Sequence, residues 1–97
     1  MKNPSDCKTM DEVRSIIDET DKDIVALLGK RWQCVDRMWE LKREEETKAS
    51  VPWRNKEVIS RVRGHATECG LPEEMAEALW RQIIGWGIQY QDEKLSD

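Results

Sequence analysis

The feature that most constrains this chain is an unbroken helical pattern of apolar residues that begins near Met10. Residues that suit a buried face recur along it at intervals of three, four or seven positions, at Val13, Ile17, Thr20, Ile24, Leu27 or Leu28, Val35 and Met38. This is the spacing of one face of an α-helix. No proline interrupts the pattern before Pro52. We therefore predict one helix from about 10 to 46, with Thr9 or Asp11 as its N-cap.

Two shorter helical segments follow, separated by the other strong helix breakers of the chain. The sequence predicts a second helix from about 53 to 69, after Pro52, and a third from about 72 to 94. Gly70 is typical of a residue that ends a helix, and Pro72 of a first helical residue. No segment alternates apolar and polar residues as a half-buried strand does. We therefore predict an all-α fold, with residues 1–97 as a single domain.

The length of the first helix has a consequence for assembly. A helix of about 37 residues is roughly 55 Å long, whereas a compact domain of this size has a radius of gyration of about 12.5 Å. The apolar stripe continues along the whole first helix, and the two shorter helices can cover only part of it. We therefore expect a second chain to bury the rest of the stripe. This predicts an intertwined homodimer. The alternative is a monomer whose first helix breaks near Gly29 into a hairpin.

Composition narrows the possible partners and the location. The chain has 16 Lys and Arg against 20 Asp and Glu, a net charge of -4, which does not favour nucleic-acid binding. No apolar run approaches the roughly 20 residues of a membrane span. The three cysteines form no CxxC pair and His65 is the single histidine, so a zinc site would need unusual ligands and we expect no metal. Without an apolar segment typical of a secretory signal in the first ten residues, we expect a cytoplasmic protein.

Two cations interrupt the apolar face of the first helix. Arg31 lies seven residues after Ile24 and Lys42 lies seven after Val35, where the pattern calls for apolar side chains. Their separation of 11 residues is close to three turns, so they share a face about 16 Å apart. Arg14 lies about 25 Å from Arg31 along the same helix. In an antiparallel dimer, Arg14 of one chain can meet Arg31 and Lys42 of the other.

Cations that converge in an apolar seam need a partner, because an unpaired buried charge is costly. No acidic residue lies on the same stripe, so a ligand with two carboxylates would fit such a cavity. On the third helix, Gln91 faces inward with Gly87 and offers an amide. Gly85 and Gly87 inside that helix indicate the close approach of a helix or a ligand. The alternative is that the cations extend to solvent or pair with acids of the other two helices.

Taken together, these residues resemble the AroQ-type, all-helical chorismate mutase family over essentially the whole chain. Five residues match the spacing of the charged active-site pattern of that family: Arg14 in DEVRSIIDETD, Arg31 in ALLGKR, Lys42 in ELK, Arg54 after Pro52, and Gln91 in IIGWGIQYQ. The resemblance implies the three-helix chorismate mutase type II fold, assembled as an intertwined homodimer. The segments NPSDC, CGLP and QIIGW are closer still to the isochorismate-pyruvate lyase branch, which makes salicylate for siderophores.

The resemblance also implies a cofactor-free pericyclic enzyme that acts on chorismate or isochorismate, both of which are dicarboxylates. Arg14 of the other chain and Arg31 would hold the two carboxylates. Lys42 and Gln91 would be the catalytic residues, donating to the ether oxygen as its C–O bond breaks. Arg54 would close the mouth of the site.

Three positions depart from the mutase pattern and are expected to contact the substrate. Val51 and Asn55 stand where mutases carry an acidic residue and a Glu, and Gly87 stands where they often carry a Ser. The loop between Lys42 and Pro52 is, in turn, longer than in the lyases. We expect an isochorismate-pyruvate lyase with chorismate mutase activity. A dedicated mutase of chorismate or of 4-amino-4-deoxychorismate is the alternative, and a helical dimer that acts as an adaptor is the non-enzyme alternative.

Overall fold

A computed structural model describes residues 3–96, and all the regular structure in that range is helical. A short 3₁₀ turn at Pro4–Asp6 precedes three α-helices: α1 at Met10–Glu44, α2 at Pro52–Cys69 and α3 at Glu73–Leu95. The predicted all-α class with a long first helix is confirmed, and each predicted helix end lies within two residues of the observed one. In the part of the chain that the structure describes, no helix is long and apolar enough to cross a lipid bilayer.

The start of α1 is fixed by reciprocal hydrogen bonds. Thr9 Oγ1 accepts from the N–H of Glu12 at 3.2 Å, which confirms Thr9 as the N-cap. The Glu12 carboxylate accepts in turn from the N–H of Lys8 at 3.2 Å. These bonds satisfy two backbone donors at a helix start. The helix then continues through Gly29, so the alternative of a hairpin broken at that residue is wrong.

The end of α2 is a Schellman motif built on glycine. The N–H of Leu71 donates to the carbonyl of Ala66 at 2.9 Å, and the N–H of Gly70 donates to the carbonyl of Thr67 at 3.3 Å. Gly70 has φ 75°, a left-handed conformation that glycine adopts without a steric penalty. Pro72, predicted as the first residue of the third helix, has ψ 130° and instead precedes α3 as its N-cap.

The end of α1 is the same motif without a glycine. The N–H of Thr47 donates to the carbonyl of Lys42 at 2.8 Å, and the N–H of Glu46 donates to the carbonyl of Arg43 at 3.2 Å. Glu46 holds the left-handed position, with φ 56°. Because glutamate gives no sign of a helix end in the sequence, the predicted end at 46 was two residues too late.

The chain divides into two compact units, Met1–Cys34 and Val35–Asp97. The first unit holds most of α1. Eight of its large apolar side chains are at least one-third exposed, at Met10, Val13, Ile17, Ile24, Val25, Leu27, Leu28 and Trp32. An exposed apolar face of this extent is typical of a surface that another chain covers.

The second unit contains the last turns of α1 together with α2 and α3. Its buried residues are small or polar, namely Ala49, Ala66, Ala76, Gly87 and Gln91. Arg63 of α2 ties the two shorter helices together through ion pairs with Glu73 at 3.2 Å and Glu77 at 2.9 Å on α3. This packing brings the end of α1 against α3, where the candidate site lies.

Substitutions at the two left-handed positions should change stability in opposite directions. Glu46→Gly is expected to raise the free energy of unfolding by about 1 kcal/mol, because glycine has no Cβ to clash at positive φ. Gly70→Ala is expected to lower it by about 1 kcal/mol for the same reason. Urea denaturation at one protein concentration measures both. Glu46→Ala is the control for loss of the side chain, and a Glu46→Gly variant no more stable than this control would contradict the prediction.

Candidate active site

The centre of the candidate site is a contact between Lys42 of α1 and Gln91 of α3. Lys42 Nζ donates to Gln91 Oε1 at 2.8 Å and to the carbonyl of Ala49 at 2.7 Å. Gln91 Nε2 donates to the carbonyl of Val35 at 2.9 Å. Both acceptors of the ammonium are neutral, so these bonds orient the charge of Lys42 without cancelling it.

Burial shapes the electrostatics of this pair. Gln91 is 5% exposed, and Lys42 is half-buried. Burial lowers the pKa of Lys42 below its ordinary value of 10.5, and the charge of Asp92 partly opposes that effect. Desolvation disfavours an ammonium that has left water. An anionic oxygen bound beside Lys42 would therefore compensate the ammonium for the hydration that burial removes.

Each member of the pair has hydrogen-bonding capacity for a ligand. An ammonium has three N–H donors, of which two point to Ala49 and Gln91. A glutamine amide has two N–H donors, and one of those of Gln91 points to Val35. The prediction that Gln91 donates to a ligand depends on its second N–H. The contact that the structure shows gives Gln91 a further role, which is to hold Lys42.

The position of Lys42 follows from the way α1 ends. The Schellman motif turns the chain back after Glu44, and the carbonyl of Lys42 accepts from Thr47 within it. Seven residues after Lys42, the buried Ala49 presents its carbonyl to the lysine side chain. The lysine is thus bonded through both its backbone and its side chain to the loop that leads into α2.

The position of Gln91 follows from a close approach at Gly87. A Cβ built on Gly87 would lie 3.5 Å and 3.7 Å from the two methyl groups of Val35. Since Gln91 is four residues further along α3, it lies on the same face and reaches the carbonyl of Val35. The predicted close approach is confirmed at Gly87. At Gly85 a Cβ would have no neighbour within 4 Å in this chain, so the close approach of a helix or a ligand there stays a prediction.

Three predicted substrate-binding residues lie at the start of α2 and make local contacts. The carbonyl of Val51 accepts from the N–H groups of Arg54 and Asn55, each at 3.0 Å. The guanidinium of Arg54 pairs with Glu57, and Asn55 Nδ2 donates to Ser50 Oγ at 3.3 Å. These residues belong to the same unit as Lys42 and Gln91. Their binding of substrate stays a prediction.

The two arginines predicted to hold carboxylates lie in the first unit. Arg14 is exposed and forms an ion pair with Asp11 at 3.2 Å. Arg31 is half-buried. Their convergence with Lys42 in a dimer stays a prediction.

The role of the Ala49 carbonyl could not be predicted from the sequence, because every residue has a carbonyl and the fold decides which one turns inward. A polar cluster around Asp36 was also missed. Its carboxylate accepts from Tyr90 Oη at 2.5 Å and from Trp39 Nε1 at 3.0 Å. The spacing of Asp36 and Trp39 places both on one face of α1, and Tyr90 is next to Gln91. These were the signals from which the cluster could have been found.

Removal of the Gln91 amide should be costly in the folded state. Gln91→Leu leaves the Val35 carbonyl and the Lys42 ammonium each short of a partner, so we expect a loss of about 2 kcal/mol in the free energy of unfolding. Gln89→Leu is the matched control, because Gln89 is an exposed residue of the same helix, and it should change stability by less than about 0.5 kcal/mol. Urea denaturation of both variants tests this, and equal effects would contradict it.

Two comparisons with known proteins identify the family of this chain. Residues 13–92 match the family model of chorismate mutase type II, a range that spans every predicted site residue from Arg14 to Gln91. Over 91 residues the chain is 35% identical to a protein of Pseudomonas aeruginosa named isochorismate pyruvate lyase. That similarity covers 94% of this chain and 89% of the relative. The chain therefore belongs to the chorismate mutase type II family.

Proposed function

We propose that this enzyme of the chorismate mutase kind is an isochorismate-pyruvate lyase that also has chorismate mutase activity. The observation that carries the chemistry is the half-buried ammonium of Lys42, oriented by the neutral oxygens of Gln91 and Ala49. The name of the Pseudomonas aeruginosa relative supports the choice of the lyase reaction. Asn55, which stands where the mutase pattern has a Glu, supports it too.

Both reactions break the ether C–O bond between the ring and the enolpyruvyl side chain. In the lyase reaction a ring hydrogen moves to the side-chain methylene carbon, which gives pyruvate and salicylate. In the mutase reaction that carbon instead bonds to the ring, which gives prephenate. In either case negative charge grows on the ether oxygen, and a donor held there in advance lowers the barrier. We assign this role to Lys42, with Gln91 as the second donor.

The two carboxylates of the substrate need cationic partners in a fixed geometry. We assign them to Arg31 and to Arg14 of the other chain, because a guanidinium binds a carboxylate through two parallel hydrogen bonds. Such a clamp holds the side chain over the ring in a reactive conformation. Arg54 closes the mouth of this site.

The choice between chorismate and isochorismate then depends on how the site contacts the substituents of the ring. The hydroxyl group occupies different ring positions in chorismate and isochorismate, so the residues that face it select between them. We assign this contact to Val51 and Asn55, and we place Gly87 near a substrate carboxylate. The same cationic site serves both reactions, which is why one activity accompanies the other.

A homodimer completes the site in this proposal. Between α2 and α3 the second unit has a groove of about 460 Å³, lined by Ile59, Ile84 and Ile88 together with three basic residues, Lys56, Arg63 and Arg81. The first unit offers an exposed apolar face, and its helical part has six acidic against four basic residues. Apolar complementarity favours a partner chain's first unit on this groove, where Arg63 and Arg81 are already paired with Glu77. We propose that residues 1–97 form a single domain of such an intertwined dimer.

A product assay tests the proposed activity. Purified protein receives isochorismate or chorismate, salicylate is measured by its fluorescence, and prephenate is measured after acid conversion to phenylpyruvate. We expect salicylate to form faster than prephenate. Lys42→Met should lower kcat by at least about 100-fold, because its donor acts mainly in the transition state. Lys8→Met, at an exposed lysine, is the control and should retain full activity.

The other outcomes of this assay are equally informative. Faster formation of prephenate would contradict the lyase assignment and identify a chorismate mutase. Turnover of 4-amino-4-deoxychorismate alone would identify a mutase of that substrate. No turnover of any of the three would contradict the enzyme assignment and favour an adaptor.

Mixed dimers test the contribution of Arg14 across the interface. Arg14→Ala and Lys42→Met should each be nearly inactive alone, whereas subunits mixed by co-refolding should recover about a quarter of wild-type activity, since half of the dimers then contain one intact site. Arg31→Ala mixed with Lys42→Met is the control. Because Arg31 and Lys42 of one chain serve the same site, this mixture should recover nothing. Failure of the first mixture to recover activity would place Arg14 in the site of its own chain.

A further inference from the structure

A second polar contact joins α1 and α3 next to the catalytic pair. Its members are Asp36 and Trp39 of α1 and Tyr90 of α3, called here the Asp36 cluster. Tyr90 Oη donates to Asp36 Oδ1 at 2.5 Å, and Trp39 Nε1 donates to the same oxygen at 3.0 Å. All three side chains are half-buried, and the mechanism proposed above uses none of them.

The Asp36 cluster is held by charge as well as by geometry. The hydrogen bonds from Tyr90 and then Trp39 lower the pKa of Asp36 below its ordinary value. The same carboxylate raises the pKa of Tyr90, so the phenol keeps its proton. The bond between them is therefore a charge-assisted hydrogen bond, which is stronger than one between neutral groups.

The Asp36 cluster lies in register with the contacts of Gln91. Asp36 directly follows Val35, whose carbonyl accepts from Gln91, and Tyr90 directly precedes Gln91. Two consecutive residues of α3 thus bond to two consecutive residues of α1. A rotation of α3 about its axis, or a slide along α1, would break both bonds, so the Tyr90 contact restricts where the Gln91 amide can lie.

Further contacts of Trp39 involve Arg43, the residue after Lys42, and also restrict the position of α3 against α1. The guanidinium of Arg43 lies 4.7 Å from the centre of the Trp39 ring, and Arg43 Nη2 donates to the carbonyl of Lys94 at 2.5 Å. The ammonium of Lys94 lies 5.9 Å from the centre of the Trp39 ring and 5.6 Å from that of Tyr90. Cations over aromatic rings are attracted to them. The last turns of α1 and α3 are therefore joined on both sides of the Lys42–Gln91 contact.

We propose that Asp36 and Tyr90 are positioning residues, which hold Gln91 against the Val35 carbonyl and thereby aim the ammonium of Lys42. The inference rests on the proposed catalytic function of Lys42. It predicts that loss of the Asp36–Tyr90 bond changes the placement of Gln91 first and the chemical step as a result.

Tyr90→Phe and Asp36→Ala test this inference, since each removes the same hydrogen bond. Either variant should lower kcat by about tenfold with little change in KM, because a displaced donor weakens transition-state stabilisation more than binding. The double variant should be no worse than Asp36→Ala alone, since that variant has already removed the bond that Tyr90→Phe removes. Asp36→Asn keeps an acceptor for Tyr90 and should recover most of the lost rate.

A second measurement reports on Gln91 without any need for turnover. In ¹⁵N-labelled protein, the side-chain amide signals of Gln91 should shift and exchange faster with water in Tyr90→Phe and in Asp36→Ala. Glu40→Gln is the control, since it breaks the exposed ion pair of Glu40 with Arg37 on the same helix and should leave these signals and kcat unchanged. A merely structural contact would lower the melting temperature without this local change.

The two proposals fail in different ways. Wild-type protein that turns over its substrate while Tyr90→Phe and Asp36→Ala keep full kcat and an unchanged Gln91 amide would overturn the positioning role alone. Wild-type protein without turnover would overturn the proposed function, and the Gln91 amide would then still show whether the Asp36 cluster holds it.

Discussion

The arrangement of the second unit depends on two hydrogen bonds of the Lys42 ammonium, one to the side chain of Gln91 and one to the carbonyl of Ala49. A charged group that leaves water needs polar partners, and the chain supplies them from two directions. The left-handed turn at Glu46 sends the loop back so that Ala49 faces the lysine. The missing side chain at Gly87 brings α3 close enough for Gln91 to reach both Lys42 and Val35.

The neutrality of these two acceptors is important for the chemistry. A carboxylate in place of the Gln91 amide would hold Lys42 as firmly but would cancel much of its charge. With neutral acceptors the charge remains available to a dianionic substrate and to the oxygen that becomes negative as the ether bond breaks. In the proposed reactions no proton passes to or from the protein, and the protein needs only a cation fixed in advance where charge develops.

This arrangement has a cost in stability, and its sign follows from the pKa of Lys42. Burial lowers that pKa in the folded protein below the value of 10.5 that applies when the chain is unfolded. Between the lowered value and 10.5 the unfolded state binds more protons at this residue, so its contribution to stability rises with pH. Below that range the full cost of burying the charge is present. In the proposed function, this cost is the exchange of stability for activity that is common at active sites.

Most of the fold and part of the candidate site could be predicted from the sequence. The spacing of apolar residues predicted the three helices, because an amphipathic helix repeats its apolar face every three or four residues. Gly70 correctly indicated the end of α2. The end of α1 was less visible, because Glu46 takes a role usually given to glycine. Lys42 and Gln91 could be chosen because each is polar at a position that calls for burial. The contact of the Ala49 carbonyl and the Tyr90–Asp36 hydrogen bond could not be predicted, since both depend on how distant segments of the chain pack.

Binding of a bicyclic dicarboxylate analogue of the pericyclic transition state is the most direct measure of the central claim, which is that Lys42 faces the breaking ether bond. Isothermal titration calorimetry would compare wild-type protein with Lys42→Met. The account predicts tight binding to the wild type and binding weaker by about 100-fold to the variant, because the analogue places an oxygen where charge develops. Equal affinity for the two proteins would contradict it, since the ammonium would then lie away from the reacting oxygen.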